Sequence, residues 1–433
     1  MREDRYGNPI STSSAEAQTA YNTAVDLFLG ANAGTCTHLD DALAADPDFA
    51  LAHLLKARAH QMLGQSADAN AALAAANAAA ERRSLSDREH SHFDTYRALL
   101  SGRGAEARQR IVQHAERFPR DALAVQPATG VFGLIGFSGC DGREAEQLSF
   151  VRSLERHYAD DWWFLGQVAF AEAETGAIAR SERTIERSLS GNPRNANAAH
   201  IKAHIHYEQG EASAGLAYLN EWSSDYDRSA PLYCHVNWHR AIWALEQGDT
   251  DLAWSTYEGD VMPGCSPSPP INVATDSASF LFRAELAGGV RRPELWAKVA
   301  DYVSRMFPTP GVQFLDFHAA LIYAMAGDGA RLNQVTGEQK GPARDVVRLC
   351  GSAFQSFASG AYDEAAAELI PVLSCHETLG GSRAQRDLLE FAYAAALLRA
   401  GKADEAGRAL VSRRPSIVTD PKQPLQGRVG LAA

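Results

Sequence analysis

Long apolar runs are missing from this 433-residue chain. The longest, such as Ala71 to Ala80, are Ala-rich and interrupted by Asn77, far short of the roughly 20 apolar residues a membrane-spanning helix needs. Cysteine is sparse: Cys36, Cys140, Cys234, Cys265, Cys350 and Cys375 are scattered with no C-x-x-C pair, which argues against a zinc ribbon or a disulfide framework. An excess of basic charge is absent too. Lys+Arg 41 against Asp+Glu 53 gives a net charge of -12, which counts against general affinity for nucleic acid or an anionic membrane. The start, Met1-Arg-Glu-Asp-Arg-Tyr, is polar and has no signal-peptide apolar run, so a cytoplasmic location is expected. There is no G-x-S-x-G, Walker A loop, Rossmann fingerprint or C₂H₂ spacing, and no alternating strand pattern. Hydrophobic content of 45% and charged content of 22% are those of an ordinary soluble, folded protein.

Repetition is what the chain does have. Glycines that follow an apolar helical stretch and precede an Ala-containing amphipathic one occur at Gly64, Gly104, Gly142, Gly176, Gly210, Gly248, Gly288, Gly327, Gly360 and Gly401. Their successive spacings are 40, 38, 34, 34, 38, 40, 39, 33 and 41, at or just above the period of tetratricopeptide repeats. The unit is plainest over Trp163 to Asn195, where Gly176 breaks the first helical pattern and Gly191-Asn192-Pro193 stops the second. The pattern predicts an all-α fold, an α-α superhelix of about nine to ten helix pairs. A single pair cannot bury its own apolar face, so the array should act as one solenoid. Residues 1–46 read as an N-terminal capping segment with one helix, Ser14 to Leu29, capped by Ser13 or Ser14. Residues 47–412 read as the solenoid, and 413–433 as a frayed C-terminal tail. The Pro-rich stretch Gly259 to Ile271 reads as a loop, draped on the surface or serving as a lid.

With each turn glycine as origin, polar residues accumulate in first helices of the later repeats. His239 lies nine residues before Gly248 and His318 nine before Gly327; Asp316 lies eleven before Gly327 and Asp276 twelve before Gly288. His204 and His206 precede Gly210 by six and four. Two apart on a helix, they point about 200° from each other, so only one of them can face the concavity. His235, Trp238 and His239 share a face by their three- and four-residue spacing. A single histidine in a helical repeat usually packs with one nitrogen hydrogen-bonded, and tryptophan at this spacing is usually core; the gathering on one wall is what points to a polar cavity. His235 and His239 also have metal-binding spacing. Yet no Glu stands as in H-E-x-x-H, and a third ligand would have to come from Asp316 or His318, so no metal is assigned. Gly380-Gly381-Ser382 followed by Gln385-Arg386-Asp387 suits an anion at a helix N-terminus or a simple N-cap by Ser382.

These residues resemble the tetratricopeptide repeat protein 38 family, from near Gly7 to about Leu410. The matching pieces are Pro9-Ile10-Ser11-Thr12-Ser13, Ala45-Asp46-Pro47, Arg88-Glu89 with His92, Ala203-His204-Ile205-His206, Cys234-His235 with Trp238-His239, Asp276-Ser277, Asp316 with His318, Arg344-Asp345-Val346, and the Gly380 to Asp387 stretch. Val236-Asn237 is a departure, since the family has Asn directly after the first His. The resemblance implies a degenerate tetratricopeptide solenoid, cytoplasmic, and supplies no settled activity.

Two functions follow as expectations. In the first, the concave wall is a pocket that binds and acts on a small polar molecule by acid/base chemistry such as hydrolysis, elimination or isomerisation. His239, His318, Asp316 and His235 would be catalytic; His204, His206, Trp238, Asp276, Gln385, Arg386 and Asp387 would bind substrate, with Arg386 on an anionic group. In the second, the array is a scaffold gripping a peptide or partner helix in its groove. Neither nucleic acid nor membrane is an expected partner, and the sequence leaves the cofactor open, including whether a metal binds the His cluster.

Overall fold

The computed structural model describes residues 2–413. Apart from a two-residue antiparallel pairing of Arg2–Glu3 with Pro9–Ile10, the regular structure of the described residues is helical, with 22 α-helices in chain order. They form eleven consecutive pairs, ten regular and one degenerate, against the nine to ten expected. The degenerate pair has a single turn, Ala122–Val125, in place of its first helix, and an irregular passage before Arg143–Tyr158. The first 46 residues hold two helices rather than one: Ala15–Leu29, capped by Ser14, is followed by Thr35–Ala45. The second was missed because Gly34, its N-cap, offers no side chain to announce a helix start. The tail from residue 414 on lies outside the described residues.

The glycine register is real. Eight of the ten glycines separate the helices of a pair with φ between +70° and +93°, a conformation a Cβ disfavours. Gly104 departs, being the first residue of Gly104–Arg117, while Gly102 makes that turn.

First and second helices differ in how they are buried. From Trp163 to Glu174 every residue of Trp162–Glu174 is buried, whereas Ile178–Gly191 buries only Ser181, Thr184, Ile185 and Ser188. Helices Tyr233–Glu246, Pro270–Leu286, Gln313–Ala326 and Arg383–Arg399 are likewise enclosed over most of their surface. Such all-round burial marks inner helices. The inner wall is therefore packed against other chain and does not line an open groove.

What fills it is chain from other turns of the coil. Asn197 Nδ2 donates to Leu29 O at 2.8 Å, 168 residues away, and Ala196 N donates to Gly30 O at 2.9 Å. Arg143 donates through Nε to Glu377 O at 2.6 Å and through Nη2 to Gly381 O at 2.8 Å. The superhelix is wound tightly enough for its turns to touch. No helix among the described residues is long and apolar enough to cross a membrane.

Candidate functional site

Two consecutive first helices, Ala196–Gln209 and Tyr233–Glu246, each carry histidines four residues apart. Asn195 caps the former, accepting from Ala198 N at 3.3 Å, and left-handed Gly210 closes it. Residues four apart lie one above the other on a helix. Stacking the two helices therefore brings His200, His204, His235 and His239 into one cluster, each offering a ring nitrogen, with all four nitrogens within 4.8 Å of one another. The residues are 6%, 2%, 1% and 0% exposed respectively, so the cluster lies in the interior. His204 Nε2 and His200 Nε2 are 2.7 Å apart. His235 Nδ1 lies 2.7 Å from Asp276 Oδ2. A carboxylate there makes Nδ1 the donor and turns the Nε2 lone pair into the cluster.

Several of these nitrogens have no protein partner. His235 Nε2 and both nitrogens of His239 are buried without a hydrogen bond among the described residues. Burial, reinforced by the neighbouring imidazoles, drives the pKa of His200, His204 and His239 well below the usual histidine value, which favours the neutral rings. Burial raises the Asp276 pKa, offset in part by His235 and Gln385. Trp238 stacks on His235, centroids 5.1 Å apart and planes 10° from parallel, and Phe132 comes edge-on to His235 at 6.4 Å.

The set suits a transition-metal ion. With metal–nitrogen bonds of about 2.0–2.1 Å, ligand nitrogens sit about 3.4 Å apart in a tetrahedron and about 4.2 Å across a square plane. Four neutral imidazoles favour zinc, copper, iron or nickel over the oxygen-loving magnesium and calcium. The residues that meet His235 and His239 are His200 and His204, from the preceding repeat, where Asp316 or His318 had been expected. The signal for His200 was present as two H-x-x-x-H spacings in successive first helices, one ending at His204 and one at His239.

The remaining candidates divide. His204 faces inward, while His206 turns outward to Glu211, 2.9 Å away. His318 packs on Phe317 and Phe314 at centroid distances of 3.9 and 4.7 Å. It donates Nδ1–H to Phe314 O at 2.8 Å, and burial takes its pKa down to about 3. Asp316, two residues along, lies on the opposite side of the same helix. Its carboxylate accepts from Gly311 N at 3.1 Å, borders a cleft with Pro308, Pro310, Tyr323 and Arg331, and is raised to about 6 by burial. Neither residue belongs to the cluster of His200, His204, His235 and His239.

Arg386 does not present a free guanidinium to an anion. It donates to Gly381 O at 2.6 Å and pairs with Glu144. Gln385 and Asp387 do belong near the centre. Gln385 faces Asp276, and Asp387 accepts from Tyr207 OH at 2.9 Å, Tyr207 being one helical turn beyond His204. The Pro-rich stretch is no lid on this cluster: Ser268 Oγ accepts from Cys234 N at 3.1 Å, bracing the start of Tyr233–Glu246. The segment that reaches the histidines is the irregular passage carrying Phe132. Arg88 and His92 serve elsewhere. With His114 they converge on Asp121 Oδ2 at 2.5, 3.1 and 3.3 Å, and Arg88 also holds Pro9 O at 2.9 Å.

No protein-family model matches the sequence. Among solved structures, the chain is similar to human IFIT1, described as a dimer with PPP-AAAA, at 12% identity and a TM-score of 0.41 over 96% of this chain and 98% of that one. It is similar to yeast Tom70 at 15% identity and a TM-score of 0.33, covering 96% and 88%. It is also similar to the TPR domain of P58(IPK) at 14% and 0.21, covering 92% and 99%. These scores carry no argument about function, and the all-α, TPR-like repeat architecture rests on the helix pairs themselves.

Proposed function

We propose that this chain is a helical-repeat metalloprotein that holds one first-row transition-metal ion on His200, His204, His235 and His239. The observation that carries it is the meeting of four enclosed imidazoles, three of whose nitrogens have no other partner. Leaving such groups unpaired costs about 1–3 kcal/mol each, and a metal ion is the partner their chemistry suits. Kinship with the tetratricopeptide repeat protein 38 family, resting on the motifs quoted above, belongs to the same proposal. So does the handling of a small polar molecule, with the ion in place of a protonated histidine as the electrophile it would meet. The scaffold reading ranks second, because the packed first helices leave little groove for a peptide.

Cobalt uptake tests the reading. Chelator-treated protein titrated with Co(II) should take up one ion per chain and develop visible d–d absorption, and the His200→Ala/His239→Ala double variant should lose it. Wild-type protein that binds no Co(II), Zn(II), Cu(II), Ni(II) or Fe(II) would refute the metal centre.

A further inference from the structure

The loop that joins Pro293–Met306 to Gln313–Ala326 carries Pro308 and Pro310, whose fixed φ and missing N–H keep either helix from running on. It folds back so that Gly311 N donates to Asp316 Oδ2 at 3.1 Å. Asp316, Ala319 and Tyr323 share one face of Gln313–Ala326 by their three- and four-residue spacing. The next helix, Gly329–Gly337, closes the opposite side with Arg331 and Val335. Between them lies a cleft of about 320 Å³, its open mouth included, whose lining is mainly apolar. Asp316 is the exception, a carboxylate on a residue only 3% exposed.

A buried carboxylate ordinarily brings a cation with it, because water no longer solvates its charge. No Lys, Arg or His among the described residues pairs with this one. Arg331, on the same cleft, is held by Asp301 at 3.6 Å and by Asp328 at 3.2 Å. The groups that do hold Asp316 are neutral: burial lifts its pKa to about 6, and Gln339 and the Gly311 amide only moderate the rise. Asp301, Asp316 and Asp328 against Arg331 leave the cleft and its rim with an excess of negative charge. Phe307 and Tyr323 add aromatic surface, to which cations are also drawn. We infer that this cleft takes a small primary ammonium on an apolar stem, with Asp316 as its counter-ion and Phe307, Pro308 and Tyr323 against the stem. The volume is at the low end for ligand pockets, so the stem is a short alkyl chain. The site is independent of the metal reading, since it uses none of the four clustered histidines. An ammonium seated there supplies the charge-assisted hydrogen bond that no side chain of the fold gives Asp316.

Ligand-observed NMR on the full chain tests the site, with n-butylamine as the probe and n-butanol as its neutral counterpart. EDTA in the sample keeps stray metal from holding the amine. A hydrogen bond to a charged group is worth a factor of about 10–100 in affinity, so butylammonium should bind about tenfold tighter than butanol or better. Asp316→Asn keeps the size of the side chain and an oxygen for Gly311 N but removes the charge, and it should bring the two probes level. Equal affinities in wild type, or no binding of the amine, overturn the site. So does an amine preference that survives Asp316→Asn, which would place the amine on other carboxylates of this acidic chain. Thermal melting establishes that the variant folds. Should it not, Ala319→Leu narrows the cleft with the carboxylate intact: weakened butylamine binding there supports the site, and unaltered binding overturns it.

Discussion

Replacing His239 by Phe should stabilise the metal-free protein, or leave it nearly unharmed, while weakening its response to metal. The residue is 0% exposed, its ring lies 4.7 Å from Trp238 and 5.7 Å from Trp243 between centroids, and neither nitrogen has a hydrogen-bond partner among the described residues. Each orphaned nitrogen costs about 1–3 kcal/mol. A phenyl ring removes both penalties and adds one ring atom, whose crowding costs about 1–3 kcal/mol. In chelator the variant should therefore lie between a loss of about 1 kcal/mol and a gain of about 5 kcal/mol. Metal shifts the ranking toward wild type: at a free ion concentration of 100 Kd, wild type gains about 2.7 kcal/mol, and the variant gains less for want of a ligand. Unfolding entropy of about 2.1 cal/mol/K per residue converts 2.7 kcal/mol into roughly 3 °C for a chain of this length. Thermal melts followed by circular dichroism in EDTA and in excess Co(II) give all four values. A variant several kcal/mol less stable in EDTA, with an undiminished Co(II) shift, would show that His239 is an ordinary packing residue and refute the reasoning.

Two further outcomes are expected. His318 has its pKa depressed to about 3, so the unfolded chain takes up this proton first and stability is lost as pH falls below about 6.5. The loss through this one residue is about 1.6 kcal/mol between pH 6.5 and 5. Urea curves of wild type and His318→Phe at those two pH values should differ by that amount, with Co(II) binding unaltered; equal pH slopes would contradict it. A Cβ at Gly381, where φ is +74°, would lie 2.2 Å from Phe314 Cε2 and 2.6 Å from Cδ2. Gly381→Ala should therefore cost about 2–5 kcal/mol from left-handed strain and crowding together, and an unshifted melting temperature would show that Phe314 yields freely.

The repeat architecture was legible because it is local. A left-handed turn needs glycine, and a helix pair needs apolar residues at helical spacing, so eight of the ten marked glycines fall between paired helices. The wall on which His204, His235, His239 and Asp276 meet was legible for the same reason. The fourth ligand was not found, because His200 was passed over for His206 when residues were counted back from Gly210, although the four-residue spacing to His204 favoured it. Asp316 and His318 misled because equal distances from a turn glycine fix a helical register but not which repeats wind close together. The packed interior was equally hidden: contacts such as Arg143 to Gly381 depend on the pitch of the coil, and no short-range pattern records that. Arg386 looked like an anion hook because its partner, Glu144, stands 242 residues away.

The order of the cluster along the chain also sets a timetable. A ribosome finishes all four histidines when it reaches residue 239, while Asp276, the carboxylate on His235, is added 37 residues later, after about 2–7 s at about 5–20 residues per second. On the metal-centre reading proposed above, the nascent protein offers an ion its imidazoles before that carboxylate arrives, so capture can precede final tightening. Any shortage of metal would then be felt during synthesis, before the last coil of helices seals the interior.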